Sequence, residues 1–257
     1  MTSDAQLIRP RSILVADDDL YLRIAHDSDD VRLLADSDAM IVPYSVEPAL
    51  NARAIESVRT HLRDSGQLAP KSLLIKNPYQ AESYESADEA IGTFSVTKYH
   101  AFANVARVLG ATEVRFLEAK VELENSSLQA KIAAMLPAGG GDVEAAREVT
   151  KKLEDRLSAH LTFDGGAPDP AAADDLLKRS HLAHDPQLRA LVNMRTGGNL
   201  LTRYDFTLSG TRESTSNLTS ALQIANAGPV KALEIGAKFS MMAKAIRNIE
   251  IKTEIAF

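Results

Sequence analysis

Residues 249–257 read IEIKTEIAF, and apolar and charged side chains alternate along the stretch. The residues of one parity are apolar apart from one threonine: Ile249, Ile251, Thr253, Ile255 and Phe257. The charged residues all belong to the other parity: Glu250, Lys252 and Glu254. Because successive side chains of a strand point to opposite faces, this stretch predicts a strand with one buried face and one charged face.

The same alternation recurs at four earlier places, over residues 112–124, 157–163, 202–209 and 233–243. Strands of this kind are typical of an antiparallel sheet with one covered and one polar face. The short connection between 233–243 and the last strand predicts a C-terminal β-hairpin, whose final strand would present an edge to another chain. We therefore predict an α+β fold, with a mainly antiparallel sheet from residue 112 onward and amphipathic helices covering one face.

The first of these stretches changes parity in its middle. Val114 and Phe116 share one parity, whereas Leu117, Ala119 and Val121 share the other. A shift of one residue moves every following side chain to the opposite face of a sheet. The stretch therefore predicts a β-bulge near Phe116 and Leu117, with burial of its first part on both faces as the alternative.

Caps and terminators mark the helices between the strands. Asn51 and Gly66 bracket one helix, and Gly110 ends another over residues 96–109. Asp169 and Asp185 each precede a proline, a pattern typical of the first residues of a helix. Three more helices are predicted, over residues 126–135, 142–153 and 214–227, and a short buried strand is predicted over residues 73–75.

The 257-residue chain is 45% hydrophobic and 25% charged, as globular proteins are, and its length allows one large domain or two small ones. Its net charge of -6 comes mainly from its front, since residues 1–46 contain nine Asp, four Arg and no Glu or Lys. We predict an acidic α/β region over 1–110, either separate or integral to the same domain, and an α+β sheet core over 111–257. Without an extended basic field, the chain gives no strong signal for nucleic-acid binding.

The chain contains no cysteine, which excludes disulfides, thiolate nucleophiles and cysteine-ligated metals. Its beginning lacks the basic and apolar regions of a secretory signal, and no apolar run is long enough to span a membrane as a helix. We therefore expect a cytoplasmic protein without a transmembrane segment. Contact with a membrane surface is left open.

The string ILVADDD, from Ile13 to Asp19, places three carboxylates after an apolar run. It resembles the opening of response-regulator receivers, in which such carboxylates help to hold magnesium, but residues 50–59 contain no Asp that could accept phosphate. Asp17 and Asp19 also resemble the Asp-x-Asp opening of haloacid dehalogenases. That resemblance implies a second acidic pair at a strand end, whereas Asp174 and Asp175 fall inside a predicted helix. We favour a solvated acidic turn at Asp17, Asp18 and Asp19 over a metal site.

Two further groups could carry chemistry. His181 and His184 have helical spacing and could share a metal with Asp185, although histidines near a helix end also interact with its dipole. Lys98, Tyr99 and His100 are consecutive, so a helix would point them in different directions. We expect Tyr99 in the core and Lys98 and His100 at the surface.

The glycines from Gly139 to Gly141 could offer backbone amides to an anion at the start of a helix. A P-loop would continue with Lys and Ser or Thr, whereas Asp142 and Val143 follow here. The sequence thus predicts no cofactor and assigns no catalytic, cofactor-binding or metal-binding residue.

The leading hypothesis is a non-enzymatic intracellular assembly subunit or protein-binding module that acts through a sheet edge and surface contacts, on a protein partner or on itself. One alternative is a membrane-acting effector of the pore-forming type, since some soluble proteins built from amphipathic strands and helices refold into membrane barrels. The other alternative is a hydrolase or transferase whose active site is dispersed along the sequence.

Overall fold

The computed structural model describes residues 9–26, 36, 38–48, 50–123, 150–151, 153–157, 160–196, 200–210, 213–227, 230, 239, 243 and 246–257. The strands are β1 Ser12–Ala16, β2 Ala39–Pro43, β3 Ser72–Lys76, β4 Tyr84–Ser86, β5 Glu113–Leu123, β6 Leu161–Thr162, β7 Arg203–Ser209 and β8 Ile246–Ala256. The helices are α1 Asp18–His26, α2 Ala52–Asp64, α3 Ala90–Val108, α4 Pro170–Arg179, α5 Pro186–Met194 and α6 Thr215–Ala225. The α+β prediction is confirmed.

The chain forms two compact units, each assembled from several segments. Unit 1 comprises Met1–Asn77, Glu82–Ala90 and Thr215–Ala243, and unit 2 comprises Pro78–Ala81, Ile91–Ser214 and Lys244–Phe257. The domain boundary near Gly110 stays a prediction.

Unit 1 contains a four-stranded sheet in the order β2-β1-β3-β4, in which β1 and β2 are parallel and the other pairs are antiparallel. Ile13 and Val15 belong to a core cluster with the buried face of α2. The neighbouring Ser12 side chain lies 2.7 Å from the Ser220 hydroxyl of α6. Because adjacent residues of a strand face opposite ways, α2 and α6 cover opposite faces of this sheet.

Unit 2 contains an antiparallel sheet in the order β6-β5-β8-β7. Ile249, Ile251 and Ile255 are completely buried, so the predicted inner face of the last strand is confirmed. Helix α3 packs on this face, and the rings of Phe102 and Phe206 stack with centroids 4.8 Å apart. The sheet therefore has the covered face and the charged face that the alternation predicts.

The predicted bulge in β5 is confirmed. Phe116 pairs with Thr253 and Glu118 pairs with Lys252, so Leu117 is an extra residue without a partner in the register. This insertion returns the apolar residues on both sides of the bulge to the covered face. Leu117 itself is 50% exposed.

Most predicted helix ends are also confirmed. Gly66 and Gly110 follow α2 and α3 with φ of 72° and 89°, and Asp169 and Asp185 cap α4 and α5 through their side chains. Asn51 occupies the N-cap of α2, but its side chain makes no capping hydrogen bond. Its left-handed backbone, with φ of 52°, replaces the extended conformation from which a capping side chain reaches the helix.

Three strand predictions need correction. The last strand, β8, lies between β5 and β7 and is therefore not an edge. The strand predicted over 157–163 shrinks to β6, because residues 153–157 are helical and bury Leu153 and Leu157. In the predicted strand over 233–243, Phe239 and Ala243 are helical. The antiparallel partners of β8 are instead β5 and β7, which come earlier in the chain, so the predicted hairpin is wrong.

The helix predicted over 126–135, the glycines from Gly139 to Gly141 and most of the helix predicted over 142–153 lie outside the described residues.

Candidate functional site

The acidic residues after β1 are held by local partners. The Asp17 side chain accepts a hydrogen bond from the Leu20 amide at 2.8 Å, which caps α1, and lies 2.9 Å from the Lys71 ammonium. The hydrogen bond from Lys71, followed by that from Leu20, lowers the pKa of Asp17. Asp17 thus caps α1, so the predicted acidic turn is the start of a helix, whose carboxylates are partly or fully exposed.

Asp18 has a different set of partners in the loop after β2. It accepts hydrogen bonds from the Ser45 hydroxyl at 2.5 Å and from the Ser45 and Val46 amides at 3.3 Å each. The Ser45 hydroxyl is the main cause of a lowered pKa at Asp18. Asp17 and Asp18 therefore serve two separate local structures.

The prediction that His181 and His184 lie on a helix is wrong. Helix α4 ends at Arg179, and His181 has a left-handed backbone with φ of 55° in the turn before α5. Both His181 and His184 are exposed, while Asp185 points its carboxylate at the amides of Gln187 and Leu188. Within the described ranges, no three His, Cys, Asp or Glu side chains form a group that could hold a metal ion.

A buried ionic cluster surrounds Lys98 on α3. Its ammonium lies 3.1 Å from Asp185 Oδ2 and 2.7 Å from Glu213 Oε2, and it donates a hydrogen bond of 2.9 Å to the Ser209 carbonyl. The Tyr79 hydroxyl donates to the same Glu213 oxygen at 2.9 Å, and burial followed by the Glu213 charge raises the pKa of Tyr79. We name Lys98, Asp185, Glu213 and Tyr79 the Lys98 cluster.

The Lys98 cluster overturns the surface position that we predicted for this lysine. Lys98 is 1% exposed, whereas Tyr99 is buried and His100 is exposed as predicted. The missed signal is helical spacing, since Lys98 stands four residues after Phe94 and four before Phe102, both buried on α3. The two carboxylates and the carbonyl offset the cost of burying its charge.

The geometry of the Lys98 cluster is that of a structural support. An ammonium has three N–H donors, and Lys98 has three acceptors within 3.1 Å. Asp185 divides its two oxygens between Lys98 and the first amides of α5. The Lys98 cluster therefore links α3 to the start of α5 and to the turn after β7, and its internal contacts use all the donors of the lysine.

A different feature of unit 2 is a long strand edge that pairs with no second strand among the residues the structure describes. Only Glu113 and Val114 of β5 pair with β6. Of the other nine residues, from Arg115 to Leu123, all but Leu117 pair with β8 on one side, and none pairs with another strand of the described chain on the second side. We name this stretch the open β5 edge. A row of unpaired backbone groups of this length is a template for strand addition.

The charged face beside the open β5 edge is ordered by cross-strand ion pairs. Glu254 of β8 pairs with Arg203 on one side and lies 4.0 Å from Arg115 on the other. Glu118 and Lys252 are 2.7 Å apart, and their hydrogen bond lowers the pKa of Glu118 and raises that of Lys252. The sheet thus presents fixed charges of both signs, in a defined order, next to an available edge.

No helix of the described residues is both long enough and apolar enough to cross a membrane. Comparison with known proteins finds no matching family model, no matching curated protein and no matching solved structure.

Proposed function

We propose that this protein is a non-enzymatic, cytoplasmic assembly subunit or protein-binding module whose binding site is the open β5 edge. The observation that carries this proposal is a contrast within the described part of the chain: nine edge residues have no second neighbouring strand there, whereas the lysine of the buried Lys98 cluster is fully engaged. A partner segment would bind as an added strand and donate to and accept from the backbone of β5.

Leu117 supports this assignment of the site. It places an apolar side chain at 50% exposure in the middle of an edge strand, where an added strand could cover it.

The cytoplasmic location belongs to the same proposal. A chain of 257 residues without a single cysteine is compatible with a reducing compartment. Strand addition needs no thiol, metal or cofactor, so the composition and the binding mode agree.

The test is selection of peptides from a random library displayed on phage, with the wild-type protein as target. The selected peptides are then titrated against Leu117→Lys and a matched control, Leu22→Lys, which changes a leucine of α1 that is 47% exposed. We expect the binding constant to weaken about tenfold or more for Leu117→Lys, because an added strand would have to cover a charged side chain in place of an apolar one. Leu22→Lys should bind like the wild type.

Selection of no binding peptide would contradict the proposal, as would peptides that bind both variants equally well. Circular dichroism on each variant checks that the fold is retained.

A further inference from the structure

We infer that the open β5 edge is occupied by the same edge of a second copy of this chain, added antiparallel with Ala119 opposite Ala119 of that copy. This inference rests on the proposed function and specifies the partner of the same site. The resulting dimer would join the two unit 2 sheets into one continuous sheet through two β5 strands.

The length of the edge sets the register. The open β5 edge runs from Arg115 to Leu123, and Ala119 is its midpoint. In an antiparallel pair centred on Ala119, Arg115 lies opposite Leu123 of the second copy. The added strand then ends one residue short of Val114, where β6 already pairs. A two-fold axis through Ala119 thus fits the open stretch without displacing β6.

The charges of the edge are complementary to themselves in this register. Glu118 lies opposite Lys120 of the second copy, and Lys120 lies opposite Glu118 of that copy. Both residues are exposed on the charged face, since Glu118 pairs in register with Lys252 and Lys120 pairs with Glu250. Opposite charges directly across an antiparallel pair stabilise it, whereas like charges destabilise it.

The neighbouring apolar residues agree with the same register. Leu117 lies opposite Val121 of the second copy, at the point where the bulge ends the regular pairing. Ala119 meets Ala119 of the second copy without steric conflict because both side chains are small. The bulge at Leu117 limits this ideal pairing to the central part of the edge.

Other centres on β5 fit less well. A pair centred on Lys120 would set the two Lys120 side chains against each other and Glu118 against Glu122, which are like charges. A pair centred on Val121 would match Lys120 with Glu122 but would place Leu117 opposite residue 125, beyond the end of β5. Of these registers, only the one centred on Ala119 sets Glu118 and Lys120 opposite each other, with both residues inside β5.

The experiment measures the mass of the full-length protein in solution by sedimentation velocity over a wide dilution series. The wild type should approach twice the 27.8 kDa of one chain as concentration rises. Lys120→Glu and Glu118→Lys each set like charges opposite each other at two places, so either variant should weaken dimerisation about tenfold or more. The double variant E118K/K120E restores opposite charges and should dimerise again.

The double variant makes the result specific to the interface between copies. It loses the intrachain pair between Glu118 and Lys252 just as Glu118→Lys does, so a purely intrachain role predicts no recovery. Lys178→Glu on α4, a charge reversal at an exposed lysine away from the edge, should leave the dimer unchanged. Thermal melts confirm that each variant remains folded.

A wild type that stays monomeric at every concentration would overturn the inference, as would a dimer that both single variants leave intact or that the double variant fails to restore. These failures are separable from failure of the proposed function. Peptides that bind the edge of a monomeric protein would retain the proposed function and reject self-association. Hydrogen exchange over residues 115–123 should slow as concentration rises, and protection that is independent of concentration would also reject the dimer.

Discussion

Lys98 Nζ and Asp185 Oδ2 lie 3.1 Å apart in unit 2, and both side chains are almost completely buried. Asp185 uses its other oxygen to accept hydrogen bonds from the Gln187 and Leu188 amides at 3.0 and 3.1 Å. One carboxylate therefore both starts α5 and neutralises a buried lysine. The position of the helix and the position of the charge are fixed by the same residue.

Because of this double role, we expect Asp185→Ala to lower the free energy of unfolding more than Asp169→Ala does. Each variant removes an N-cap before a proline, which costs about 1 kcal/mol of unfolding free energy. Asp185→Ala also takes a charged partner from Lys98, so its total loss should be about 3 kcal/mol. Urea unfolding of the two variants measures the difference, and equal losses would show that the Lys98 pair contributes nothing.

Lys98→Met should be more destabilising than either cap variant. It leaves the Asp185 carboxylate buried without its cation, and breaking a buried ion pair in this way costs about 3 to 5 kcal/mol. Glu213→Gln should cost less, because Gln can still accept from the Tyr79 hydroxyl and Lys98 keeps Asp185. Chemical denaturation gives both values, and a Lys98→Met protein as stable as the wild type would contradict a structural role for the Lys98 cluster.

Features encoded by neighbouring residues could be predicted from the sequence. Alternation identified the inner face of β8, and its interruption at Phe116 and Leu117 identified the bulge in β5. Two capping aspartates and two terminating glycines marked the helix ends. Each of these depends on one residue and its neighbours along the chain.

Features set by distant residues could not be predicted in the same way. The order of strands in a sheet depends on which strands pair, so the central position of β8 between β5 and β7 left no local trace. Helical spacing could have indicated the burial of Lys98, but its two carboxylate partners, Asp185 and Glu213, are far away in the sequence. The open β5 edge likewise depends on the shortness of β6, which was predicted to be a longer strand.

The two terminating glycines offer a matched pair of variants. Both have left-handed backbones, so replacing either with Ala should cost about 1 kcal/mol from this conformation alone. A Cβ at Gly66 would meet nothing within 4 Å, whereas one at Gly110 would collide with the Gly166 carbonyl. Gly110→Ala should therefore lose about 3 kcal/mol or more. Thermal and urea unfolding measure both losses, and similar values would contradict the close packing around Gly110.

The response of unit 1 to acid depends on Asp17. Its pKa is lowered in the folded protein from 3.8, chiefly by the hydrogen bond from Lys71. A carboxylate with a lowered pKa stabilises the folded state fully above its unfolded pKa, and this contribution is lost as pH falls through the folded pKa. Stability from this residue should therefore be complete at neutral pH and should disappear below pH 3.8.

Asp17→Asn removes the charge of this residue but keeps a side chain that can cap α1. Asn also caps helices well, so the variant should retain α1 and lose only the pairing with Lys71, at a cost of a few tenths to about 1 kcal/mol at neutral pH. The wild type and the variant should then converge in stability in acid, as the pH falls below 3.8 and through the lowered pKa of the folded wild-type carboxyl. Asp19→Asn is the control, because in the described part of the chain the Asp19 carboxylate has no ion pair to lose. Urea unfolding at both pH values provides the comparison, and an Asp17→Asn deficit that persists unchanged in acid would show that Lys71 does not act through the charge of Asp17.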